Sequence, residues 1–400
     1  MHRAHKIKLQ PTKAQEQYFA RACGTARFAF NWALAEWQKE YEAGGKPSEA
    51  ALRKKLNSIK ATEFPWMAEV TKCAPQQAIK NVGTAFQNFF RRTKQGGKPG
   101  YPKFKRKGQH DSFRADNGPA DANSHAVECM GKTIKLPRCG AVKMREALRF
   151  TGRTLSATVS KQADGWYVTV LVDTTDIMSG PLGGGTVGVD LGLKNLAALS
   201  TGEVLPPLKP HRALRSRLVR LSRSLSRKKK GSSNRAKAKT KLAKLHKRIA
   251  DIRVDALHKL THRLATEFDT IAIEDLNVKG MVRNRHLARS VSDAGFGEFR
   301  RQLEYKAAMT GASVFIVDRF YPSSKTCSTC GEIHEMKLSN RVMACDCGNV
   351  MDRDLNAAIN LKNKAVSSTV TACGEDGSGC GGNTATKPTS VKQEDLSTSC

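Results

Sequence analysis

Apolar positions along the chain change period several times, and each change marks an element. Ile7 and Leu9 alternate with Lys6 and Lys8, the two-residue period of a strand. Thr12-Lys-Ala-Gln15 reads as a capping box, in which the two side chains satisfy free backbone N–H groups and start a helix. Phe19, Ala22, Ala26, Phe30, Ala33 and Trp37 then recur every three or four residues as one apolar face, until Gly44-Gly45 ends it. A second helix is predicted over 48–60. A third runs from Pro75 to Arg92, with Ala78, Val82, Ala85 and Phe89 on one face. Between 123 and 173 the period returns to two. Leu155–Ser160 and Trp166–Asp173 flank Ala163-Asp164-Gly165, a hairpin signal.

The glycine-rich run 179–185 marks a domain boundary. Beyond it, Val187-Gly-Val-Asp190 reads as a strand leading into a turn at Asp190, and Ile271-Ala-Ile-Glu274 as another strand. Residues 235–257 keep Leu242, Leu245, Ile249 and Ile252 at helical spacing; a helix follows through Phe299, then a strand at Val314–Val317. Helices alternating with strands after an initial hairpin fit a ribonuclease-H-like α/β fold. From 365 the chain is rich in Ser, Thr and Gly, lacks periodicity and reads as a disordered tail.

Charge changes the picture most. There are 68 Lys and Arg against 36 Asp and Glu, a formal net charge of +32. The excess is clustered: Arg212 to Arg248 holds sixteen basic residues and no acid. Such a run repels itself unless phosphates lie nearby, so nucleic acid is the expected partner. The stretch from Lys98 to Arg114 mixes cations with Tyr101, Phe104 and Phe113, which suits either base stacking beside phosphates or a solvated loop over tucked-in rings. No window has the roughly 18–20 apolar residues of a membrane span. The first residues, Met1 to Lys8, have no apolar signal region, so a cytoplasmic location and no membrane partner are expected. The sequence carries no signal for oligomeric state.

Three carboxylates and four cysteines carry the candidate chemistry. Asp190 stands in an apolar strand, where a buried carboxylate needs a cation or a metal. Glu274 ends a second apolar strand, and Asp275 beside it is expected to face outward. Asp354 sits at a helix start, where Asp352 competes as an N-cap. Carboxylates on strand ends and a helix start suit a two-magnesium site for cutting phosphodiesters. Cys327, Cys330, Cys345 and Cys347 form a C-x-x-C and a C-x-C pair, enough thiolates for a closed, structural zinc shell. Cys23, Cys73, Cys129 and Cys139 read as small buried residues, and Cys373, Cys380 and Cys400 carry no signal.

With these motifs in hand the chain resembles the TnpB (OrfB) family, insertion-sequence RNA-guided nucleases related to type V CRISPR effectors. The resemblance rests on Arg27-Phe-Ala-Phe-Asn-Trp32, Lys98-Pro-Gly-Tyr-Pro-Lys-Phe-Lys105, Leu136-Pro137 and Lys143-Met-Arg145. It rests above all on Gly188-Val-Asp-Leu-Gly192, Ile273-Glu-Asp-Leu276, Tyr321-Pro-Ser-Ser-Lys-Thr-Cys327 and Asp352-Arg-Asp-Leu-Asn-Ala-Ala358. It implies a mixed, multidomain fold: a wedge β-barrel over 1–20 and 115–180, interrupted by a helical recognition domain over 21–114. A RuvC-like nuclease domain would follow over 186–322 and 349–364, with a zinc-binding insert over 323–348 that handles the target, and the tail from 365 to 400. It implies Asp190, Glu274 and Asp354 as the catalytic, magnesium- or manganese-binding trio, with Asp354 chosen over Asp352 by its spacing to Asn356-Ala-Ala. Guide RNA and target DNA would be the partners. Members that have lost the carboxylates act as repressors, and such proteins were also labelled strand-joining transposases. All three acids stand here, which argues for cleavage.

Overall fold

The computed structural model describes residues 2–97, 99–118, 126–174, 180–181, 183–337 and 340–374, with side chains as far as Ser368. Lys98, positions 179 and 182 of the glycine-rich run, and the tail from 375 with Cys380 and Cys400 lie outside the described residues, as does the side chain of Cys373. The chain divides into two compact units, 1–178 with 214–251, and 179–213 with 252–400. The units first part at 178/179, at the start of the glycine-rich run. The basic stretch does not stay with the second unit, as its place in the sequence suggested; from Leu214 to Asp251 it groups with the first.

The first unit opens with β1 (His2–Gln10), followed by α1 (Lys13–Glu42), α2 (Glu49–Ile59) and α3 (Cys73–Lys94). The strands β2 (Ser112–Asp116), β3 (Glu128–Met130), β4 (Thr133–Leu136), β5 (Gly140–Met144), β6 (Arg153–Gln162) and β7 (Gly165–Asp173) come next. Thr12 and Gln15 make the predicted capping box. The buried face of α3 is turned toward Ile79, Val82 and Phe86, leaving Ala85 and Phe89 half-buried, because Phe86 stacks on Trp37 of α1 with centroids 4.4 Å apart. All seven strands form one antiparallel sheet in the order β2-β6-β7-β1-β5-β4-β3. β1 bends within it, pairing with β7 through Lys8 and with β5 from Leu9. The sheet is open, which corrects the expected barrel: no pairing joins β2 to β3 among the described residues. The helices lie over the sheet instead, with Phe19 of α1 against Trp166 and Phe113 at centroid distances of 5.2 and 5.9 Å. Helical block and sheet therefore share one hydrophobic core.

After three strands and a short helix of the second unit, the chain re-enters the first over 214–251. The elements from here are β8 (Thr186–Leu191), β9 (Ala197–Leu199), β10 (Val204–Leu205), α4 (Pro210–Ala213), α5 (Arg215–Ser226) and α6 (Ser233–Glu267). Then follow β11 (Thr270–Glu274), α7 (Val278–Arg283), α8 (Ala288–Ala294), α9 (Phe296–Thr310) and β12 (Ser313–Val317). The set closes with β13 (Val342–Ala344), β14 (Val350–Asp352) and α10 (Arg353–Gly374). The five-stranded sheet runs β10-β9-β8-β11-β12. Its first three strands are an antiparallel meander, and β11 pairs parallel with both β8 and β12.

Both faces of this sheet are covered, which is why β11 reads as a continuous apolar run. Ile271 and Ile273 join Val187, Val189, Leu264 and Phe299 on one face. Ala272 lies on the other with Leu361 and Ala365 of α10. Gly188 is required there: a Cβ would sit 1.9 Å from the Ala358 carbonyl oxygen, so any side chain would drive α10 off β8. Because Ala365 is buried in this contact, α10 runs through to Gly374, past the point where the tail was expected to begin. No helix among the described residues is long and apolar enough to cross a membrane.

Candidate active site and cysteine cluster

Strand alternation decides where the carboxylates go. Val187 and Val189 point into the core, so Gly188 and Asp190 take the α10 face. Ala272 is on that same face, and therefore Glu274 is too. The parallel register pairs Ile273 with Val189, so Glu274 and Asp190 follow side by side. Asp190 lies inside β8, opposite Ala198 of β9, in the apolar strand expected for it and not on the turn that follows. Asp354 comes from the first turn of α10.

The electrostatics report the result. Asp190 is pushed up to about 8, first by burial and then by the negative charge of Glu274 and Asp354, with Arg353 opposing. The three acids are thus brought together, as a wider cluster than the cysteines: among the described residues, only the four cysteines and the set Glu332, His334, Cys345 hold all their ligand atoms within 4.8 Å. Accumulated negative charge with one opposing arginine is the donor chemistry of a divalent-cation site, and magnesium, which keeps several waters, fits an open cluster. Asp352 has a different task. Its Oδ1 accepts from the N–H groups of Asp354 and Leu355 at 2.8 and 3.3 Å and caps the helix. Asn195 Nδ2 donates to Asp354 at 3.4 Å, and the Ser323 hydroxyl donates to Glu274. Asp275 faces away and is held by Arg319 and by Arg300 at 2.6 Å, which keep its carboxyl below the usual range.

The cysteines satisfy a stricter test. Zinc–sulfur bonds of about 2.3 Å place tetrahedral sulfurs about 3.8 Å apart. Here Cys327 and Cys347 are 3.7 Å apart and Cys330 and Cys345 3.5 Å apart. Backbone N–H of Cys330, assisted by Asn349, lowers the Cys327 thiol below the usual thiol range. The short C-x-C spacer is absorbed by a tighter turn. In the first loop Gly331 N donates to Cys327 O and Cys327 N to Glu332 O; in the second, each bond spans one residue fewer, Gly348 N to Cys345 O and Cys345 N to Asn349 O. Gly331 and Gly348, at φ +84° and +88°, supply the left-handed residue that closes each loop. The remaining described thiols lack this setting; Cys23 is buried and pushed up to about 12.

Sequence reasoning missed the residues that connect the two clusters. Asn356 and Asn360 are buried on one face of α10, a pair of amides four apart in an otherwise apolar stripe, which is itself a signal. Asn356 donates to Thr326 O at 2.7 Å and accepts from Ser328 N at 2.9 Å. Asn360 donates to Ser323 O and Thr326 O at 2.8 and 2.6 Å.

In the first unit, the exposed basic face is carried by α5 and α6. Arg217, Arg220, Lys241, Lys244 and Arg248 surround an apolar floor of Leu221 and Leu245. Arg235 is used internally and caps α5 through Leu225 O and Lys228 O at 3.0 and 2.7 Å. The aromatic set divides: Phe113 is core, Tyr101 stands edge-on to Phe86 and Phe89, and Phe104 is exposed.

The fold is of the class seen in a Cas12f1–sgRNA–target DNA complex, with a TM-score of 0.58 over 91% of this chain and 99% of that one, at 12% identity. Three family profiles match in order: a helix-turn-helix domain of OrfB_IS605 over 1–46, OrfB_IS605, described as "Probable transposase", over 169–285, and a Cas12f1-like TNB domain over 296–361. The chain belongs to the TnpB (OrfB) family. A Streptomyces pristinaespiralis protein named "Putative RNA-guided DNA endonuclease" is 36% identical over 98% of this chain and 96% of its own length. InsQ of Escherichia coli K12, with the same description, is 34% identical over 93% of this chain and 94% of its own.

Proposed function

We propose that this chain is an RNA-guided DNA endonuclease of an insertion sequence, cutting target DNA beside a short adjacent motif. The observation that carries the reading is the meeting of Asp190, Glu274 and Asp354 on the α10 face of the second sheet, in a chain of this family. Residues 186–322 and 349–364, without the arm 214–251 that groups with the first unit, would form the RuvC-like nuclease domain and 323–348 its zinc-binding, target-handling insert. The open sheet would serve as the wedge and 21–114 as the recognition domain.

Asp190, Glu274 and Asp354 would hold Mg²⁺ or Mn²⁺, and the four cysteines Zn²⁺. Divalent ions bound there supply charge stabilisation and an activated water for phosphodiester hydrolysis. The carboxylates' contribution is a fixed, partly buried array of oxygens whose mutual repulsion falls when cations arrive. The basic face of α5 and α6 would grip phosphates of the guide RNA or its heteroduplex without reading sequence, which base pairing supplies.

The test is a reconstituted cleavage assay with co-purified RNA. Asp190→Ala should lower guided cleavage by at least about a hundredfold while guided binding persists, since the carboxylate acts on the transition state. Cleavage at the parent rate by Asp190→Ala would remove that residue from the site.

A further inference from the structure

Ser323 lies in the loop that leads to Cys327, and it is buried with its hydroxyl donating to Glu274 Oε1. The loop has little freedom of its own. Ser323 N donates to Tyr321 O, and Lys325 N, Thr326 N and the Thr326 hydroxyl all donate to Pro322 O. Asn360 takes the two loop carbonyls, Ser323 O and Thr326 O, on one amide. Asn356 grips the loop a residue beyond, at Thr326 O and at Ser328 N between the first two cysteines. A continuous set of hydrogen bonds therefore runs from the cysteine loop to one oxygen of a candidate metal-binding carboxylate.

We infer that Ser323 is a positioning residue for Glu274, held by Asn356 and Asn360, and that the cysteine cluster thereby sets the divalent-metal affinity of the carboxylate site. The inference rests on the proposed metal-binding role of the trio. A hydroxyl fixed on Oε1 selects one rotamer of Glu274 and leaves Oε2 to the cation. Outer-shell partners of this kind orient the ligand before the metal arrives, and their loss costs about 10-fold to 100-fold in metal affinity. The two asparagines contribute at one remove, by fixing the backbone from which the hydroxyl points. Asn356 holds the loop through both its amide oxygen and its amide nitrogen, and Asn360 through its amide nitrogen.

The test is a Mn²⁺ titration of the purified RNA-bound protein, read by the electron paramagnetic resonance signal of free Mn²⁺, with zinc content and guided DNA binding measured on the same samples. Ser323→Ala should weaken Mn²⁺ binding about 10-fold or more while zinc and DNA binding stay at parent level. Ser323→Thr, which keeps the hydroxyl, should restore affinity, and cleavage by the alanine variant should recover at raised Mn²⁺. Parent-level Mn²⁺ affinity in Ser323→Ala overturns the inference, as does an equal loss in Ser323→Thr. Asp190→Asn separates this from the underlying reading: if it too binds Mn²⁺ as the parent does, the carboxylate site itself fails; if it loses Mn²⁺ while Ser323→Ala keeps it, only the positioning role fails.

Discussion

Asp190 shows how one side chain can make a site and strain a fold at once. Its carboxyl is raised to about 8 by burial and by Glu274 and Asp354, so the folded, metal-free protein favours the protonated form. The sign follows from linkage: a group raised in the fold contributes stability that is complete below its unfolded value and lost as pH climbs through about 8. Asparagine imitates the neutral acid. In magnesium-free buffer, Asp190→Asn should melt only a little above the parent near pH 5, where the unfolded carboxyl is already ionised while the folded one is not. It should melt higher near pH 9, by about 2–4 °C for each kcal/mol of repulsion relieved. Calorimetry at the two pH values checks this, and equal shifts at both would mean the charge is not what Asp190 costs. A divalent cation should abolish the difference by raising the parent.

At the scale of elements, what was legible in the sequence was whatever periodicity and motif spacing encode. The capping box at Thr12, the hairpin at Asp164 and the C-x-x-C pair need only local chemistry. Parity along β8 and β11 then places Asp190 and Glu274 on one face once register is known, and register is not local. Lys306 shows the limit. It follows a run of charged residues and reads as helix surface, yet it is buried, with Nζ donating to His258 O and Thr261 Oγ1 at 2.6 and 2.8 Å, and burial lowers it to about 8. Only the packing of α9 on α6 specifies that. The barrel failed for a related reason: alternating strands say that a sheet forms, and not whether its edges meet. In the basic arm, Lys237, Lys241 and Lys244 are exposed, so they are free to meet phosphates in a way that Arg235 is not. Changing all three to Gln should weaken complex formation for every guide alike and flatten the dependence of log K on log salt by up to about three. An unchanged slope, with helix content intact by circular dichroism, would show that they only face solvent.

At the scale of the whole molecule, the two units carry their charge differently, and the second depends on α10 for its closure. Ala365 is buried with Leu361, Ala272 and Val317, so ending the chain before Ala365 should lower the melting temperature by several degrees, about 2–4 °C per kcal/mol lost. Ending it after Gly374 should leave melting and cleavage near parent level. A large loss of cleavage from the longer truncate, with melting unchanged, would give the segment beyond Gly374 a role in holding nucleic acid. The tight seat that Gly188 grants α10 has one more consequence, in time rather than in space. Asp354 is translated about 80 residues after Glu274. At about 5–20 residues per second, a nascent chain spends roughly 4–16 s with two of its three acids made and the helix that brings the third still unmade. Through that interval the polypeptide already has the basic arm from Leu214 to Asp251 and lacks the third carboxylate, so on the proposed reading the phosphate-gripping surface is made before the cutting centre is complete.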